Sequence, residues 1–295
     1  LNRNGSNEVT LGTVTSQWGT SSTRWSSLYK SIARATKVIQ ALDNGSATGI
    51  SESKVNQYKG EAYFMLGFAY CELTAYYGDC VLNKGMTLDE AYVATRSPKN
   101  EVLAYAFECL DKAAEYLPNS YKGQQRPTKG AALGFKARFA LFHEDWQTAV
   151  DAAQKCMDLG VYKLHDNYRE MFQATSSPEF MFYFKGDLTL KKGYGFMENV
   201  RDFVIRKIGG HCNQSPSLEL FCSYTCTDGL PIDKSPLYNP KDPFANRDPR
   251  LAMTIQPFKT KYSADYAEYE QSKKDGTFPE KYPDYITLGY EFNPS

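Results

Sequence analysis

The chain has 295 residues, 42% hydrophobic and 23% charged, and its 34 basic and 34 acidic residues leave a formal net charge of zero. That composition fits one large or two modest folded domains and offers no basic patch for nucleic acid. No apolar run approaches the roughly 18–20 residues needed to cross a bilayer, and Leu1-Asn2-Arg3-Asn4 does not begin a signal peptide.

The first informative stretch is polar, Thr15-Ser16-Gln17-Trp18-Gly19-Thr20-Ser21-Ser22. Trp18 has nothing periodic around it, so it is a candidate ligand-stacking ring, with folding back onto the helices as the alternative. Thr23 is the expected N-cap of a helix carrying Trp25, Leu28, Ile32, Ala35, Ile39 and Leu42 at steps of three and four, closed by Asp43-Asn44-Gly45. A second helix is predicted from about Ser53 to Tyr77, with Val55, Tyr58, Ala62, Met65, Ala69, Leu73 and Tyr76 on one face and Gly78 as its stop. Thr87 and Glu90 form a capping box for a short helix. Ser97-Pro98 opens another whose face is Val102, Tyr105, Cys109, Ala113 and Leu117, ended by Pro118.

Thr128 opens a fifth helix with Ala131, Ala132, Phe135, Phe139 and Phe142. After a break at Glu144-Asp145, a sixth carries Trp146, Ala149, Val150, Ala153 and Met157 to Gly160, giving an antiparallel hairpin. Tyr63-Phe64-Met65-Leu66-Gly67-Phe68-Ala69-Tyr70 has the aromatic, Leu-Gly and Tyr order of a tetratricopeptide helix, where a small residue admits its neighbour closely. Gly67 and Ala137 are 70 residues apart, near two repeats of about 34. The expected architecture is mainly α, a tetratricopeptide-like helical superhelix over 1–160. A loop-rich part with a few short strands follows over 161–295, packed on the helices within one structural domain. Phe180-Met181-Phe182-Tyr183-Phe184 reads as a buried strand. Trp25 and Trp146 read as packing residues. Tyr194 and Phe196, in Gly193-Tyr194-Gly195-Phe196, are the next candidate stacking rings after Trp18.

The seven cysteines are an odd number without scaffold spacing and do not settle the redox compartment. Cys71, Cys109 and Cys156 fall on apolar helix faces as plain buried thiols. His211-Cys212 with Cys222 and Cys226 lacks a Cys-x-x-Cys hairpin, which argues against zinc. On one strand, Cys222 and Cys226 would lie about 13 Å apart, too far for a bridge.

Several stretches, taken in order, resemble the SusD/RagB family of outer-membrane nutrient-binding lipoproteins. They are Trp25-x3-Tyr29-x2-Ile32-x-Arg34-Ala35, Gly60-Glu61-Ala62 through Tyr77-Gly78-Asp79, and Arg96-Ser97. Next come Arg126-Pro127-Thr128-Lys129-Gly130-Ala131-Ala132 with Lys136-Ala137-Arg138, Trp146-x2-Ala149, and Gly160-Val161-Tyr162-Lys163-Leu164. Asn246-Arg247-Asp248-Pro249-Arg250-Leu251 closes the series. The resemblance implies a surface-exposed lipoprotein on tetratricopeptide-like helices, a lid over a TonB-dependent (SusC-like) transporter that hands it oligosaccharides or, in some members, peptides. Helices would face the transporter and loops the ligand. Where the family has Arg-Phe-Leu-Arg-Ala after Gly-Glu-Ala, this chain has Tyr63-Phe64-Met65-Leu66-Gly67 and loses two arginines. The family's lipid-bearing N-terminal cysteine is absent and family chains run longer, so the sequence reads as a fragment or a split or divergent member.

The sequence holds no Gly-x-Ser-x-Gly, His-Glu-x-x-His, phosphate loop or Asp-x-Asp calcium loop, so neither cofactor nor metal is expected. Asp248 and Arg250 most simply lock a turn with the fixed φ of Pro249. The expected function is non-catalytic binding of oligosaccharide, with ring faces for stacking and tyrosine hydroxyls for hydrogen bonds. A peptide-binding role, a helical protein-interaction module, and a hydrolase built on a carboxylate pair are the alternatives.

Overall fold

The computed structural model describes residues 12–15, 17–46, 48–121, 126–172, 174–183, 216–255 and 257. Six helices belong to a unit formed by Val14–His165 and Ser176–Lys185: α1 (Gly19–Asp43), α2 (Glu52–Tyr77), α3 (Leu88–Val93), α4 (Lys99–Tyr116), α5 (Lys129–Phe142) and α6 (Trp146–Met157). Among the described residues, pairing of strand type is confined to two isolated bridges, Cys80 with Ser97 and Cys226 with Arg247. The mainly α expectation holds.

Local chemistry sets most helix ends. The Ser51 hydroxyl accepts the Lys54 amide, and Thr128 and Asp145 do the same for the amides of Ala131 and Thr148. Thr87 and Glu90 close the capping box expected of them. Gly78 ends α2 at φ 68°, which favours glycine, and Glu144 breaks α5 from α6 at φ 63°. The start of α1 differs from expectation: it begins at Gly19, with Trp18 as a cap that supplies no side-chain bond. Thr23, the expected cap, lies inside the helix, and the Ser22 hydroxyl bonds back to the Gly19 carbonyl at 3.2 Å within its first turn.

In this unit α2 is central, packing on α1 and α4, while α5 packs on α4 and α6. Its tetratricopeptide-like segment is buried on more than one face: Phe64, Leu66, Tyr70, Cys71 and Leu73 are all removed from solvent. At Gly67 a Cβ would stand 2.6 Å from Leu110 Cγ and 2.9 Å from the Ala106 carbonyl, so the missing side chain is what allows α2 and α4 to approach. Phe64, Phe68, Phe135 and Phe182 interlock edge to face at centroid separations of 5.2–5.6 Å. Phe182 reaches this core without a strand. Residues 180–183 are irregular chain, and the segment leading into them is held through Lys163 N–H on Pro178 O and His165 N–H on the Glu179 carboxylate.

The outer face of α6 is a second departure. Ala149 and Ala152 are its buried residues, whereas Trp146, Val150 and Met157 are 61–66% exposed. The helix has turned so that small residues meet α5 at short range, leaving the larger side chains in an outward ridge that Leu141 and Phe142 extend. Trp146 is therefore not a packing residue here. Trp25 is, against Tyr29 and Tyr77 at 4.8 and 5.0 Å.

Two polar details fix the unit's connections. The buried Tyr70 hydroxyl donates to Asn83 O and accepts from Asn83 N–H at 2.9 and 2.8 Å. His143, at the end of α5, places Nε2 3.3 Å from the buried Thr74 hydroxyl, whose own proton goes to Cys71 O. Nε2 is thus the donor, and Nδ1 is left buried as a bare lone pair. Burial first, and Lys99 second, hold this imidazole below its ordinary 6.5.

The second unit comprises residues 1–13, 166–175 and 186–295. Its described helices are α7 (Tyr168–Met171), α8 (Leu218–Ser223) and α9 (Pro249–Thr254), and α7 packs on α9. Asp248 caps α9 through the Arg250 amide and pairs with the Arg250 side chain, beside Pro249 at the first helical position, the turn lock expected from sequence. That pairing holds the Asp248 carboxyl below its usual range. Arg247 is buried: its guanidinium donates to the carbonyls of Pro243, Phe221 and Tyr224 at 2.8–3.0 Å. Cys222 lies on α8 and Cys226 in the Arg247 bridge, so the single-strand arrangement considered for them does not arise.

Candidate functional site

Of the three stacking candidates, Tyr194 and Phe196 lie outside the described residues. Trp18 is half-buried at the head of α1, its N–H on Thr15 O at 3.1 Å and its carbonyl accepting from the Ser21 amide at 3.0 Å. It therefore enters the structure as the backbone cap of α1, in a stretch dense in short hydroxyls from Thr20 to Thr23.

The end of α2 is fastened to this head. The Tyr77 hydroxyl donates to Ser21 O at 2.6 Å, and its ring takes Trp25 edge-on. Next along α2, Tyr76 stands in solvent with 60% of its surface exposed, its centroid 6.4 Å from that of Tyr77. Arg24 lays its guanidinium 4.0 Å from the Tyr76 centroid and pairs with Glu72 one turn earlier on α2. Arg96 places its own guanidinium 5.2 Å from the Trp25 centroid while donating to the Asp79 carbonyl. One end of the helical unit thus gathers Trp18, Trp25, Tyr76 and Tyr77 with two arginines and a carboxylate.

Sequence reading missed Tyr76, Arg24 and Glu72 as site residues. Tyr76 matches the apolar period of α2, and only its place in the last turn, where neighbours run out, marks it as exposed. Arg24 and Glu72 are 48 positions apart and carry no local signal.

The thiols take no part. Cys71 and Cys109 are fully buried, and burial raises both, Cys109 to about 12. Cys156 is half-buried beside the Gly130 carbonyl. No group of three His, Cys, Asp or Glu suited to a metal forms among the described residues. His211 and Cys212 fall outside them.

Residues 2–141, which include this end of the helices, match the SusD-like family described as starch-binding, associating with the outer membrane. SusD-like protein P2 of Formosa agariphila is 27% identical over 198 residues, 64% of this chain and 38% of that protein. A SusD-like carbohydrate binding protein from Bacteroides fragilis superposes with a TM-score of 0.69 at 25% identity, over 85% of this chain and 50% of its own. Over this stretch the chain is similar to the SusD-like family.

A second SusD-like protein of Bacteroides fragilis shares the fold, with a TM-score of 0.67 at 23% identity over 81% of this chain and 50% of the other. The SusD-like chain thus spans 38% of the curated relative's length and half of the length of these two solved proteins. Of the stretches that suggested the resemblance, residues 25–35, 60–77, 128–138 and 146–149 lie on helices or their caps, and Ser97 forms the bridge to Cys80. Of residues 246–251, Arg247 forms the bridge to Cys226, and residues 248–251 give the cap and first turn of α9.

Proposed function

We propose that this SusD-like chain binds oligosaccharide at the cell surface without breaking a bond, and passes it to a TonB-dependent transporter of the outer membrane. The observation that carries the reading is the position of the ring-bearing end of α1 and α2 inside residues 2–141, the stretch matching a family described as starch-binding. Chemistry at that end agrees with it. A sugar presents an apolar face of C–H groups and a rim of hydroxyls; Trp18 supplies a ring for the first, and Thr20, Ser21, Ser22 and Thr23 line the head of α1 with groups for the second. Tyr194 and Phe196 are proposed as further ring contacts, and lipid anchoring through a preceding segment as the route to the outer membrane.

Calorimetric titration with soluble malto-, laminari-, xylo- and cello-oligosaccharides, with peptides as a second panel, tests the reading. Saturable sugar binding by the wild type, weakened by Trp18→Ala with thermal stability unchanged, is the expected result. Exclusive peptide binding would shift the ligand class, and product release in a reducing-sugar assay would refute the non-catalytic part.

One observation favours a second reading. The ridge of Leu141, Phe142, Trp146, Val150 and Met157 is broad apolar surface on a helical hairpin, as a protein-facing module requires.

A further inference from the structure

Resting on the oligosaccharide reading above, we infer that Tyr76 and the Arg24–Glu72 pair form a second contact point beyond Trp18, selective for an uncharged sugar with adjacent hydroxyls. Three observations converge on it. Tyr76 is a large ring left in solvent although α2 is otherwise the most buried helix of its unit. Neither of its immediate partners hides it: Arg24 lies against the ring at 4.0 Å, and Tyr77 is inclined to it at 51°.

The second observation is the hydrogen-bonding state of the ion pair. Arg24 Nη2 donates to Glu72 Oε2, and among the described residues the guanidinium makes no other hydrogen bond, nor does Glu72 Oε1 accept one. A guanidinium carries five N–H donors and a carboxylate two acceptor oxygens, so the pair presents spare donors beside a spare acceptor. Adjacent hydroxyls on a sugar ring present the complementary arrangement, one oxygen accepting from the fork and the neighbouring O–H donating to the carboxylate. The pair is also held in position from two helices, since α1 carries Arg24 and α2 carries Glu72.

Charge is the third. Arg24 is matched by Glu72, and Arg96 sits on the Asp79 carbonyl with that residue's carboxylate accepting the Lys99 amide. Formal charges on these four side chains cancel, so the Arg24–Glu72 pair itself offers no unmatched cation to hold a uronate or sulfate. An anionic sugar would have to displace Glu72 from Arg24 to gain a partner. A neutral one uses the pair intact.

The experiment measures Kd for neutral hexasaccharides of glucose and xylose and for oligogalacturonate, on wild type, Trp18→Ala, Tyr76→Ala and Arg24→Lys, with circular dichroism and thermal melts on each. Lysine keeps the charge at position 24 but not the planar fork. Tyr76→Ala and Arg24→Lys are each expected to weaken neutral-sugar binding roughly tenfold with the melt unchanged. Oligogalacturonate is expected to bind more weakly than the neutral sugars. If Trp18→Ala loses affinity while Tyr76→Ala and Arg24→Lys bind as wild type, the second contact is overturned and the oligosaccharide reading stands. If oligogalacturonate is preferred, the uncharged class is wrong. If folded wild type takes no sugar, both fall.

Discussion

Replacing Gly67 by alanine tests the close approach of α2 and α4 on which the helical unit depends. The new Cβ would meet Leu110 Cγ at 2.6 Å, Leu110 Cδ2 at 2.9 Å and the Ala106 carbonyl oxygen at 2.9 Å. Non-bonded carbons rest at about 3.5–4.0 Å, so α4 must retreat by roughly 1 Å. Leu110 is fully buried and cannot swing aside, and the carbonyl is backbone. Overpacking of this kind costs about 1–3 kcal/mol, and a helix-interior Gly→Ala exchange returns about 1 kcal/mol. With a backbone atom among the obstacles the upper part of the range applies, a net loss of about 1–2 kcal/mol. For a unit of this size that lowers the melting midpoint by roughly 2–8 °C. Gly134 is the matched control. Its added Cβ would meet Met181 Cε at 2.5 Å, the far end of a flexible side chain, so Gly134→Ala is expected to be neutral or stabilising by up to about 1 kcal/mol. Chemical denaturation of both variants by circular dichroism decides it. A Gly67→Ala protein as stable as wild type, or one more stable than Gly134→Ala, would refute the argument.

Tyr70→Phe strips one hydroxyl from two backbone groups of Asn83 at once, and is expected to cost about 1–3 kcal/mol in urea unfolding together with faster amide exchange at Asn83. His143 gives a pH dependence of definite sign. Its folded pKa lies below 6.5, so the unfolded chain takes up the proton first and stability falls as pH drops from 6.5 through the folded value. His143→Gln removes that component, and its melting midpoint is expected to change less than that of wild type between pH 7.5 and 5.5. Trp146→Ser, at an exposed position, is expected to leave the midpoint of this chain within about 2 °C, since surface substitutions stay within about 0.5 kcal/mol; a larger drop would mean that the ridge is covered.

Much of the helical unit was legible because its stops and starts are made by residues that act locally. Thr87 with Glu90, and Thr128, each bond an amide three positions on, as Ser51 and Asp145 do where the sequence marked only an approximate start and a break, and Gly78 supplies a backbone angle few residues accept. The head of α1 escaped because Trp18 caps it through the main chain alone. On α6, the apolar period identified a helix but not its orientation. Ala149 and Ala152 won the α5 contact by being small, which hydrophobicity does not rank. The aromatic run at 180–183 has the composition of a strand, yet within it Phe182 packs its ring edge-on beside Phe64 and Phe135, a tertiary contact that composition does not reveal. At the candidate site the rings of Trp18 and Trp25 could be read in advance. The Arg24–Glu72 pair could not, since tertiary packing alone brings α1 and α2 together.

The double grip of Tyr70 on Asn83, with the Ser97 amide on the Cys80 carbonyl at 2.9 Å, has a consequence for how this protein can diversify. Everything from Lys84 to Arg96, α3 included, leaves from and returns to anchored points on the same short segment, and no residue of α3 is buried. Lengthening such an excursion costs little, about 0.6 kcal/mol for each doubling, because its ends are already fixed. The stretch is a natural socket for grafted sequence, exchangeable without reworking the helices beneath it.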